Sequence, residues 1–143
     1  MADQKTFSLI RPSVETNYHI DFEWWKNHDS NWRIFLMSCL CQEHQKTFQE
    51  KPDLSTIDWV DPDTAEVHQV DGIQSILMEH CVKDPEFINV NTTLVDSIFR
   101  IFLSNGNQPQ NPKELSDRIG KPADLILRTL SGSTVFKGIR PCK

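Results

Sequence analysis

Residues 111–131 read NPKELSDRIGKPADLILRTLS, and the fold turns on how this stretch divides. Asn111, Pro112 and Glu114 form a strong helix start. Asn can cap, Pro has no N–H to lose in the first turn, and an acid sits at the third helical position. Leu115 and Ile119 recur four residues apart, and Gly120 ends the run. Pro122 then opens another helix with Ala123, Ile126, Leu127 and Leu130 inward, closed by Ser131-Gly132-Ser133. Upstream, Thr93 and Asp96 make a capping-box pattern ahead of a helix reaching about Ser104, with Leu94, Val95, Ile98, Phe99 and Phe102 on one face. Asn105-Gly106-Asn107 supplies its stop, because Gly and Asn tolerate the left-handed conformation. Downstream, Thr134 to Arg140 reads as a strand.

Helix, short helix, Gly-containing turn, third helix, strand is an order that resembles the winged helix–turn–helix proteins. The run PKELSDRIGKPADLILRTL looks like their second and third helices, and the resemblance covers roughly the last 50 of the 143 residues. It implies a third helix that enters a DNA groove and a wing that touches backbone. The outward positions of the third helix are Lys121, Asp124, Leu125, Arg128 and Thr129, with Lys137 and Arg140 on the wing. The implied nucleic-acid-binding residues, for DNA or RNA, are therefore Lys121, Arg128, Thr129, Lys137 and Arg140. Asp124 and Leu125 stand where a reader of bases carries Arg, Lys, Asn or Gln. Fold alone does not separate nucleic-acid binding from protein contact, so an assembly module that meets only protein, or a second copy of the chain, stays open.

Ahead of this unit, the sequence predicts an α+β N-terminal region over 1–88, with the winged-helix-like unit occupying 89–143. Tyr18, Ile20, Phe22 and Trp24 alternate with polar residues and read as a strand. Asp29 or Ser30 caps a helix running to about Thr47, ended by Pro52, with one apolar stripe of Trp32, Phe35, Leu36, Cys39 and Leu40 and a second row on another side. Asp61-Pro62-Asp63-Thr64 joins two β-prone runs as a hairpin, since Pro presets φ for the turn. Asp71 caps the next helix, which ends near Asp84-Pro85. The four Trp, at 24, 25, 32 and 59, belong to the core.

Two features carry candidate chemistry. Cys41-x-x-His44 lies on one helical face, and His80 and Cys81 close the other N-terminal helix. Two thiolates and two imidazoles are the donor set of tetrahedral zinc. Cys41, His44, His80 and Cys81 are thus metal-ligand candidates; the alternative is two small buried hydrophobes and two half-covered rings. Adjacent residues on a helix point about 100° apart, so joint ligation by His80 and Cys81 requires the helix end to open. His19-x-Asp21-x-Glu23 would share one face of a strand and suit a Mg²⁺-dependent nuclease, or simply form its wet face. No phosphate loop or nucleophile elbow is present, and the chain reads as a non-enzyme.

The net charge of −5 hides a split: residues 108–143 hold seven basic and three acidic side chains, the remainder eight and seventeen. Such asymmetry is expected where one end meets a polyanion or an acidic partner. No run approaches the ~20 apolar residues of a membrane span, and Met1-Ala2-Asp3-Gln4-Lys5 is not the start of a signal peptide. Both features point to the cytoplasm, where the four Cys would be thiols or metal ligands.

Overall fold

Asn111 caps the helix Pro112–Ile119 as its sequence requires: its side chain takes the Glu114 N–H at 2.9 Å and Glu114 returns to the Asn111 N–H at 2.9 Å. Gly120 ends it in the left-handed conformation at φ 80°. Thr93 accepts the Asp96 N–H and Asp71 the Gln74 N–H at two further starts. In each case a side-chain oxygen satisfies an N–H that the first helical turn leaves open.

The computed structural model describes residues 11–50 and 56–142. Pro52 and the side chain of Trp59, to which the sequence assigned roles, lie outside the described residues. The elements in order are β1 (Tyr18–Ile20), α1 (Phe22–His28), α2 (Trp32–Cys39), α3 (Gln42–Glu50), β2 (Thr56–Val60), β3 (Val67–Asp71), α4 (Gly72–Glu79), a 3-10 turn at Cys81–Lys83, α5 (Leu94–Ser104), α6 (Pro112–Ile119), α7 (Ala123–Leu130) and β4 (Ile139–Pro141). The class is α+β. β2 and β3 form the expected hairpin, in register from Thr56 opposite Asp71 to Val60 opposite Val67.

Three local expectations are corrected. The strand drawn from Tyr18 to Trp24 stops at Ile20, because Asp21 accepts the Trp24 N–H at 3.0 Å and starts α1. Phe22 and Trp25, three apart, then share a helical side, and Trp25 becomes fully buried. The long helix from residue 30 to 47 is two helices, α2 and α3. Leu40 between them is extended at φ −65° and ψ 151°, and the break allows Leu36, Cys39, Leu40 and Phe48 all to be buried. A straight helix with apolar residues on two sides would have left one side wet. Lastly, the strand from Thr134 shrinks to Ile139–Pro141, since Lys137 (φ 48°) and Gly138 (φ 76°) are left-handed and cannot continue a strand.

β1 and β4 join the two ends of the described chain, antiparallel, with His19 opposite Arg140. The other edge of β1 exchanges hydrogen bonds with Gln110: the Tyr18 N–H donates to the Gln110 carbonyl at 2.9 Å, and the Tyr18 carbonyl accepts the Gln110 N–H at 3.1 Å. The Asn107 side chain continues that edge: its Oδ1 accepts the Ile20 N–H at 2.9 Å and its Nδ2 donates to the Ile20 carbonyl at 2.8 Å. Trp25 packs edge-on against Phe35, Phe99 and Trp32, with ring centroids 5.4–6.3 Å apart. One cluster of buried residues extends from Tyr18 to Ile139 and draws on both sides of residue 88. No helix among the described residues is long and apolar enough to cross a membrane.

Candidate metal centre and C-terminal surface

The break at Leu40 decides where Cys41 sits. The Leu40 carbonyl is satisfied by the Gln45 side-chain N–H at 2.8 Å, and the Cys41 carbonyl accepts the Gln45 N–H at 2.9 Å as α3 begins. His44 is therefore one turn beyond Cys41, with its ring back over the thiol. On the other side, α4 stops at Glu79. His80 takes φ −121° and ψ −56°, and Cys81 opens the 3-10 turn. That change of backbone turns Cys81 inward and leaves His80 exposed.

The result is a three-residue cluster. Cys41 Sγ is 3.0 Å from His44 Nδ1, Cys81 Sγ is 3.3 Å from the same nitrogen, and the two sulfurs are 3.6 Å apart. All three ligand atoms lie within 4.8 Å of one another. Zinc bonds of about 2.3 Å to sulfur and about 2.0 Å to nitrogen place tetrahedral ligand atoms roughly 3.5–3.8 Å apart. The triangle is close to that size, so the residues fit a metal ion with adjustments of a few tenths of an ångström. The Cys41 N–H also donates to Cys81 Sγ at 3.4 Å, which favours the thiolate a metal needs. Without a metal, burial outweighs that bond and pushes the Cys81 thiol up to about 11.

His80 is not part of the cluster. Its ring centroid lies 5.8 Å from that of His44, beside the site. The opening of the helix end, which the sequence made a condition for joint ligation, does occur, but it carries His80 outward while Cys81 turns in. Cys39, read as core, is buried, and Cys142 is half-buried.

The second metal candidate is corrected. His19 lies in β1, Asp21 caps α1 and Glu23 is in the first turn of α1, so the three share no strand face. Asp21 instead receives Arg140 Nη1 at 3.2 Å.

Of the C-terminal residues proposed to touch nucleic acid, Lys121 and Arg128 are exposed. Thr129 donates its hydroxyl to the Leu125 carbonyl at 2.8 Å, within its own helix. Lys137 and Arg140 turn back onto the N-terminal residues. Lys137 Nζ lies 4.5 Å from the Phe35 ring centroid, and the Arg140 guanidinium lies 4.9 Å from that of Trp24 besides pairing with Asp21. Cations over aromatic faces are held there by the ring quadrupole. Arg128 on α7 and Lys121 in the turn before it are exposed in the company of Asp124, also exposed.

Sequence reasoning missed Arg100. Its only signal was a lone cation inside Ile98–Leu103, an otherwise apolar run. Arg100 Nη1 donates to the Phe87 carbonyl at 2.8 Å, its guanidinium lies 4.8 Å from the Phe87 ring centroid, and its Nε is buried with no hydrogen-bond partner among the described residues. Compared with known proteins, the chain matches no protein-family model, no curated protein and no solved structure.

Proposed function

We propose that this chain is a zinc-stapled protein-contact module. In this reading α5, α6 and α7 act as a winged-helix-like unit whose third helix meets a partner protein rather than DNA. The observation that carries it is the inward placement of Lys137 and Arg140 over Phe35 and Trp24. Phosphate binding draws on several free cations at once, each releasing counterions. With two of the four cations withdrawn, α7 and the turn before it offer Lys121 and Arg128 beside Asp124 and the half-buried Leu125. A mixed polar surface with an apolar centre suits a protein contact better than a phosphate backbone.

The test places a photo-crosslinking residue at Arg128 and exposes living cells to light. Adducts that survive nuclease and fall to protease are expected. Nuclease-sensitive adducts, together with duplex binding at low salt that Arg128→Glu abolishes, would move the chain to the nucleic-acid class, an alternative favoured by the exposure of Lys121 and Arg128.

Zinc is the metal this cluster suits best, since thiolate and imidazole are its preferred donors. It would join the start of α3 to the end of α4 across a sequence gap that the hairpin otherwise spans. Elemental analysis of purified protein should return about one zinc per chain, and less than roughly a tenth of that in Cys81→Ser. An empty wild-type protein that also refuses added zinc would end this part of the reading.

A further inference from the structure

We infer that a metal ion at Cys41, His44 and Cys81 keeps a fourth position for a small monocarboxylate, which Arg100 anchors from across an adjoining cavity. The inference rests on the zinc reading above and extends it from a structural staple to a ligand site.

Three observations meet here. First, the described residues supply three ligand atoms, whereas closed structural zinc sites use four and sites with an exchangeable position use three. His80, whose ring lies beside that of His44, is exposed and stands outside the cluster. Second, a cavity of about 370 Å³ borders both cysteines, with Phe87 and Arg100 also in its lining. That volume is at the small end of ligand-binding pockets. Third, Arg100 lines this cavity with its guanidinium held against the Phe87 ring and, through Nη1, the Phe87 carbonyl. A carboxylate is the acceptor that guanidinium geometry matches best.

Charge sets the ligand class. Two thiolates neutralise a divalent ion, and Arg100 adds one positive charge. Asp84 and Glu86, exposed at the cavity rim, add negative charge; Asp84 Oδ1 already accepts the Glu86 N–H at 2.9 Å. The two rim carboxylates oppose a multiply charged anion more than a singly charged one, and one carboxylate oxygen on the metal with the other on Arg100 satisfies both groups.

The test uses the full chain loaded with Co²⁺, whose ligand-field bands report coordination and whose thiolate charge-transfer bands report the cysteines. Absence of thiolate bands would defeat the zinc reading itself. With those bands present, added acetate should shift the ligand-field bands, inorganic phosphate should do so far more weakly, and His80→Ala and Asp84→Asn should leave the acetate-free spectrum unchanged. Arg100→Met should weaken acetate binding about tenfold or more with the charge-transfer bands intact, and Arg100→Lys less. The inference fails if acetate leaves the wild-type spectrum unmoved, if Arg100→Met binds acetate as tightly as the wild type, or if His80→Ala or Asp84→Asn alters the acetate-free bands, since one of those side chains would then occupy the fourth position. If the Arg100 variants do not fold, the acetate titration and the His80→Ala and Asp84→Asn spectra still decide.

Discussion

At the scale of single residues, Asn107 and Gly138 carry more of the structure than their types suggest. Asn107 answers both polar groups of Ile20, a residue 1% exposed, with one side-chain amide, and does so from φ 62°. Asn107→Ala would strip the partner from a buried N–H and carbonyl and leave a left-handed alanine. A loss of roughly 2–4 kcal/mol is expected by denaturant titration. Gly138 accepts the Asp21 N–H at 2.8 Å, and a Cβ there would stand 2.6 Å from Trp25 Cβ and 3.0 Å from the Asp21 carbonyl. Gly138→Ala therefore meets both a φ of 76° and a wall it cannot push back. Destabilisation of about 2–5 kcal/mol should follow, with thermal melting as the readout.

At the scale of elements, helix ends are the decisive points, and the C-terminus of α1 has a measurable pH signature. Asp29 accepts the Asn31 N–H at 2.9 Å and the Trp25 indole N–H at 3.0 Å. The Asn31 bond first, then the Trp25 bond, hold its carboxyl below the ordinary carboxylate range. A depressed pKa means that folding favours the charged form. The contribution is present above the ordinary value of about 3.9 and is lost as pH falls through the lower folded value. Wild type should therefore exceed Asp29→Asn in stability at neutral pH, and the gap should close as pH drops below about 4. A gap that widened in acid would contradict the assignment. The break between α2 and α3 belongs to the same scale: one extended residue, Leu40, converts a doubly apolar helix into two that bury different sides and sets Cys41 beside Cys81.

At the scale of the whole molecule, the two ends of the described chain meet. β1 pairs with β4, Trp25 packs on Phe99, and Lys137 and Arg140 rest on aromatic rings from the first two helices. Because one buried cluster draws on both halves, unfolding should be a single transition by far-ultraviolet circular dichroism and tryptophan fluorescence alike. Zinc binding to the folded form alone raises stability by mass action. At a hundredfold excess over its dissociation constant the gain is about 2.7 kcal/mol, seen as a higher Tm in wild type and absent in Cys41→Ser or Cys81→Ser.

Helix starts, the turn at Asp61-Pro62-Asp63-Thr64 and the Gly120 stop were legible in the order of residues because each depends on neighbours within about four positions: Asn111 with Glu114, Thr93 with Asp96, Asp71 with Gln74. The pairing of Cys41 with Cys81 was legible as donor chemistry. What tertiary structure alone decided is which side chains face one another. Period-two alternation from Tyr18 to Trp24 suits a strand and a capped helix start equally, until burial of Trp25 selects the helix. His80 and Cys81 are chemically matched partners for zinc, yet the change of backbone at the end of α4 turns one inward and leaves the other exposed. Lys137 and Arg140 are cations by sequence, but the aromatic faces of Phe35 and Trp24, about a hundred residues earlier, determine what they touch. Local hydrogen bonds are written in short range along the chain; burial and charge pairing depend on contacts that only the folded chain brings together.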